Sequence, residues 1–133
     1  MARDSGRDGS ALAGGSWASS GLEVLRTTDF PDGRLERSGT WVVCFGAEWC
    51  RFTRRFVPKF VERQPAWPAT LAIADITDRN DPLWDTFRIR ITPSVLVFRD
   101  GETILRLDGR RILGVMISDF RKIDLVLGAT AAH

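Results

Sequence analysis

Trp41-Val42-Val43-Cys44-Phe45 is an unbroken apolar run, and a short turn separates it from a second cysteine, Cys50. A strand with one wet face alternates apolar and polar residues, so a run with no polar member must be covered on both faces, as parallel strands beneath helices are. This segment therefore calls for helices on both sides of a sheet. After the turn, Cys50 to Val61 places Phe52, Phe56 and Phe60 at the i, i+4 spacing of one helix face, with Pro58 inside the pattern as a kink.

The rest of the chain extends the same alternation. Leu22 to Arg26 reads as a first strand, Phe30 to Arg37 as a short helix, Leu71 to Ile76 as a second buried strand and Pro82 to Phe87 as another helix. Beyond Pro93 the order changes. Ser94 to Phe98 and Thr103 to Leu107 flank Arg99-Asp100-Gly101-Glu102, and Asp-Gly between two apolar runs predicts a hairpin. Leu113, Met116, Ile117, Phe120, Ile123 and Leu127 line one face of a last helix, closed by Gly128. These elements predict an α/β domain with a central mixed parallel and antiparallel sheet and helices on both faces.

At 133 residues the chain can bury one core. The domain is expected over residues 21–128, between a Gly/Ser-rich N-terminal tail, 1–20, and a C-terminal tail, 129–133. Within the first tail only Trp17 could anchor, and a solvent-exposed or loosely docked position is expected for it. A formal net charge of +2 is too balanced to point to nucleic acid or a membrane surface, and no apolar run approaches the ~20 residues of a transmembrane helix. Two cysteines do not make a disulfide framework and no segment reads as a signal peptide, so a reducing, cytoplasmic setting is expected. His133 is the only histidine, and no metal or other cofactor is expected.

Cys50 carries the chemistry. A thiol at the start of a helix meets free backbone N–H groups and the positive end of the helix dipole, and both favour the thiolate. Arg51, Arg54 and Arg55 add positive charge nearby. The alternative is a small apolar side chain in a core, the usual fate of a free cysteine.

The stretch from Val43 through Glu48-Trp49-Cys50-Arg51-Phe52-Thr53 to Arg54 resembles the active-site segment of the thioredoxin family, with threonine in place of the second cysteine of Cys-x-x-Cys. Pro58, Ile91-Thr92-Pro93, the Asp100-Gly101 hairpin and Gly109 follow in family order, and the resemblance spans roughly Gly21 to Gly128. It implies a thioredoxin fold in which Trp49 lies over the site and Thr92 and Pro93, joined by a cis bond, face Cys50. With Gly109 they would form the substrate groove, and the Thr92 backbone would pair with an extended peptide or glutathione.

Two departures bear on mechanism. Thr53 can hydrogen-bond a thiolate but cannot attack sulfur, and Cys44 stands where thioredoxins keep a buried acid. Cys44 is expected to be buried and inert, a resolving role requiring its Cα within ~7 Å of that of Cys50. The function expected is a monothiol thiol–disulfide oxidoreductase in cell redox homeostasis. Cys50 would form a mixed disulfide with a protein or glutathione and be released by an external reducing thiol. Arg51 and the helix N-terminus would lower its pKa, and Trp49 and Phe52 would shape the site. The alternative is a binding or adaptor module that keeps the groove and has lost turnover.

Overall fold

A computed structural model describes Trp17 and residues 20–109 and 119–128. The expected tails before Trp17 and after Gly128 lie outside these residues, as do Leu113, Met116 and Ile117 of the last helix. Five strands, β1 (Glu23–Leu25), β2 (Thr40–Gly46), β3 (Thr70–Asp75), β4 (Ser94–Arg99) and β5 (Glu102–Leu107), form one sheet in the order β1-β3-β2-β4-β5. β3 runs parallel to β1 and β2, whereas β4 is antiparallel to both β2 and β5. The helices are α1 (Arg51–Val61), α2 (Leu83–Thr86) and α3 (Phe120–Leu127). This is the thioredoxin fold.

β2 is paired along both edges and buried on both faces, as its apolar run requires. Val42 and Cys44 face a core made with Phe56, Val57 and Phe60 of α1 and Phe120 and Ile123 of α3. Trp41, Val43 and Phe45 face the opposite core, with Leu83 of α2, Phe30, Phe87 and Phe98. Phe30, Phe45, Phe87 and Phe98 pack there with ring centroids 5.1–5.9 Å apart. The β4–β5 turn puts Asp100 and Gly101 at φ 50° and 90°, the paired positive values that an Asp-Gly hairpin supplies. Gly128 caps α3 at φ 73°.

Three expectations need correction. Phe30 to Arg37 is not a helix, because Pro31 and the positive φ of Asp32 and Gly33 hold it to a single 3-10 turn at Pro31–Gly33, which follows another at Thr27–Asp29. Phe30 and Leu35 are nevertheless buried, and both pack in the core on the α2 side of the sheet. The core face of α1 is Thr53, Phe56, Val57 and Phe60, so Phe52 lies beside this face rather than on it, half-buried.

Trp17 is the third. It is 2% exposed and packs in the α1–α3 core, while its carbonyl accepts the backbone N–H of Ser20 at 2.9 Å. Its indole N–H has no acceptor among the described residues. Trp17→Ala should therefore cost about 3–5 kcal/mol in urea unfolding. Trp17→Phe should cost much less, because it keeps an aromatic ring and removes a buried donor that is already unpaired. A loss under ~0.5 kcal/mol for Trp17→Ala, the range of an exposed position, would place the indole outside the core.

Candidate active site

β2 ends at Gly46, and Ala47, Glu48 and Trp49 turn the chain so that Cys50 becomes the N-cap of α1. A β-carbon on Gly46 would overlap Cγ2 of Thr53, so the glycine lets the first turn of the helix lie against the strand end. The Ala47 N–H donates to Oγ1 of the fully buried Thr53 at 3.4 Å, and the Cys50 N–H donates to the Ala47 carbonyl at 3.1 Å. Strand, turn and helix are thus tied together around the cysteine.

Cys50 is half-exposed and unbonded to Cys44. As a thiol it makes no capping bond; its Sγ donates to the carbonyl oxygen of Thr92 at 3.4 Å. Once the proton is lost, the N-cap sulfur faces the N–H groups of Phe52 and Thr53, the position where a capping side chain normally accepts. Partial burial opposes this ionisation. Hydrogen bonds from the Thr92 side chain, the Thr53 N–H and hydroxyl and the Phe52 N–H outweigh it and hold the thiol below its ordinary pKa. Arg51, Arg54 and Arg55 are exposed and none is among these causes, so the acidity expected from Arg51 comes instead from threonines and the helix end.

Cys44 lies in the middle of β2, fully buried between Ile73 of β3 and Val95 of β4. Burial, and then the charge of Cys50, push its thiol far above the ordinary value. Both causes favour the neutral thiol.

The Thr92–Pro93 bond is cis, and this loop is the wall facing Cys50. Ser94 Oγ donates to the Ile91 carbonyl at 2.8 Å and accepts the Gly109 N–H at 3.1 Å. A side chain on Gly109 would overlap the Pro93 carbonyl, so the glycine permits the approach of the chain leaving β5. On the other flank Trp49 is 41% exposed, donates from Nε1 to the Thr77 carbonyl at 2.8 Å, stacks on Trp84 and carries the Arg79 guanidinium 3.8 Å from its ring centroid. Trp49, Cys50, Thr53, Thr92, Pro93 and Gly109 therefore surround one surface, with Cys44 in the core behind it. Among the described residues no three histidine, cysteine or carboxylate side chains converge as metal ligands.

The parallel register of β2 on β3 also sets Asp75 opposite Gly46, bringing together carboxyl groups whose proximity is not visible in the sequence. Asp75 is buried; its Oδ1 accepts the Thr77 N–H at 3.0 Å and the Thr77 hydroxyl at 2.6 Å, and that hydroxyl accepts the Glu48 N–H at 2.9 Å. Asp75 Oδ2 and Glu48 Oε2 are buried without partners.

A thioredoxin family model matches residues 22–122 of this chain. Human protein disulfide-isomerase A6 is 31% identical over 129 residues, covering 91% of this chain and 29% of that protein. The chain thus spans under a third of that relative's length. A thioredoxin domain-containing protein of Theileria parva is 35% identical over 66 residues, 49% of this chain and 30% of that protein. Among solved structures, Schistosoma mansoni thioredoxin superposes with a TM-score of 0.64 at 21% identity over 80% of this chain and 97% of its own, and Chlamydomonas reinhardtii thioredoxin f2 with 0.63 at 17% over 78% and 94%. The chain belongs to the thioredoxin family. At these identities the structural neighbours speak for the fold alone.

Burial first, and then the charge of Asp75, raise the pKa of Glu48. A carboxyl with a folded pKa above its unfolded value near ~4.3 stabilises the fold below that value and loses the contribution as pH rises through the folded pKa. Glu48→Gln should thus raise the melting temperature at neutral pH, with the gain shrinking toward pH ~4 as the native Glu48 becomes protonated. Thermal melts across that range check it, and an equal gain at both ends would rule out the charge as its cause.

Proposed function

We propose that the chain is a monothiol thiol–disulfide oxidoreductase domain with Cys50 as its nucleophile. The observation that carries this reading is the placement of the sulfur. It is the N-cap of α1, within reach of the Phe52 and Thr53 N–H groups, and the position where the family keeps a second thiol holds the buried Thr53.

The Cys50 thiolate attacks one sulfur of a substrate disulfide; that S–S bond breaks, a mixed disulfide forms at Cys50, and the other sulfur leaves as a thiolate that takes a proton from water. An external thiol such as glutathione then attacks the Cys50 sulfur and frees the substrate as a dithiol. A second equivalent attacks the new mixed disulfide, regenerating the Cys50 thiolate and leaving the external disulfide. Two electrons thereby pass from two external thiols to the substrate disulfide.

Disulfide-bearing proteins are the substrates that the likeness to protein disulfide-isomerase A6 supports, with glutathione disulfide a smaller substrate of the same chemistry. Trp49, Thr92, Pro93 and Gly109 form the groove, and Thr53 and Thr92 stabilise the thiolate. A chain that depends on external thiol suits a reducing compartment, and the cytoplasm is the location we propose.

Insulin reduction with dithiothreitol as reductant tests the reading. Wild type should turn over slowly, Cys50→Ser should abolish the activity, and Thr53→Cys should raise it about tenfold or more, since a resolving thiol within the same molecule acts at high effective concentration. Efficient wild-type turnover that is lost in Cys44→Ala would make Cys44 the resolver and overturn the monothiol mechanism. No turnover with any thiol would favour the binding module.

A further inference from the structure

A cleft of about 370 Å³ opens directly beside the Thr92–Pro93 loop. Among the described residues it is lined by Arg88, Arg90, Ile91, Arg106, Asp108 and Gly109. Its wall is continuous with the active site, because Ile91 adjoins Thr92, whose carbonyl faces the Cys50 sulfur, and Gly109 closes on Pro93.

The three arginines differ in what they do. Arg106 pairs with Asp108 at 2.7 Å and donates to the carbonyls of Phe87 and Arg88, the latter at 2.9 Å, so its charge is committed and it clamps the neighbouring loop. Arg88 and Arg90 sit in that clamped loop, exposed, and among the described residues neither has an ion pair or a side-chain hydrogen bond. Arg88 also holds φ at 52°, a left-handed conformation that glycine would adopt at lower cost. Among the described residues the one carboxylate in the cleft, Asp108, is paired to Arg106. Two guanidiniums without such a partner, beside the loop that faces the thiol, give an unbalanced positive field that favours a carboxylate-bearing ligand.

We propose that Arg88 and Arg90 form a subsite for acidic residues flanking the disulfide of a protein substrate. The inference rests on the oxidoreductase reading and names the substrate class for the same site. An extended peptide held at Thr92 continues past Ile91 into the cleft, where its carboxylates reach the two guanidiniums. Arg88 and Arg90 select and hold the substrate; they take no part in the sulfur chemistry.

The test uses the full chain and disulfide-linked peptides that differ only in having Glu, Gln or Lys on either side of the cysteine. Single-turnover attack should be roughly five- to tenfold faster on the Glu peptide than on the Gln peptide at low salt, the scale of two partly exposed ion pairs. That preference should fade as salt rises from ~0.01 M to ~1 M and the screening length falls from about 30 Å to about 3 Å. Arg88→Gln with Arg90→Gln should remove it while leaving the Gln peptide's rate unchanged. Arg88→Gly should reduce the preference while raising the melting temperature, which separates the effect from unfolding.

Equal rates for Glu and Gln peptides, or a preference that survives the double variant, would overturn the subsite. Binding of the same peptides with serine in place of cysteine, followed by fluorescence anisotropy, separates the two readings. If none of the disulfide peptides reacts yet the serine peptides bind in the order Glu, Gln, Lys, the subsite stands and the oxidoreductase reading fails.

Discussion

The site depends on where β2 stops. This strand is hydrogen-bonded on both edges and buried on both faces, so it has no freedom to slide, and its last residue, Gly46, is held against Thr53 of the following helix. That one contact sets the distance between strand end and helix start, and the short turn between them leaves Cys50 as the N-cap. Once the cysteine is there, the helix supplies its Phe52 and Thr53 N–H groups to the sulfur at no further cost in ordering. The Thr92 loop approaches from β4, the antiparallel neighbour of the same strand, so both halves of the site are registered to β2.

Thr53 has two structural duties that bear on chemistry. Its methyl group fills the space beside Gly46, and its hydroxyl accepts the Ala47 N–H and lies within reach of the Cys50 sulfur. A cysteine there would bring a resolving thiol; the threonine brings packing and a hydrogen bond. Cys44 does not take over that task, because a thiol sealed between two central strands is neither ionised nor accessible. The positive charge expected from the α1 arginines is likewise absent from the balance at the sulfur. Arg88 and Arg90 line the cleft beside the Thr92–Pro93 loop, where their charge bears on the substrate rather than on the thiolate.

The sheet, the hairpin and the position of Cys50 were legible because each rests on a local pattern: an apolar run for β2, Asp100-Gly101 for the turn, and a strand–turn–helix order around the cysteine. The segment after Phe30 fits the place of a helix between two strands, but Pro31 and the positive φ of Asp32 and Gly33 allow only a single turn there. Trp17 was misread because its glycine and serine neighbours say nothing about the core it enters. Glu48 and Asp75 meet only through the β2–β3 register, and Arg88 is left-handed because it ends α2, where its N–H returns to the Asp85 carbonyl and that of Ile89 to the Trp84 carbonyl.

The helix N-terminus and two threonines favour the Cys50 thiolate, while burial keeps Cys44 silent. The rate of iodoacetamide alkylation against pH, with the modified residue located by mass spectrometry, measures both. A single reactive site is expected at Cys50, with an apparent pKa clearly below the ~8.5 of a free thiol, and no label on Cys44 until the protein unfolds. Titration of Cys50 at or above the free value, or labelling of Cys44 in the folded protein, would contradict it.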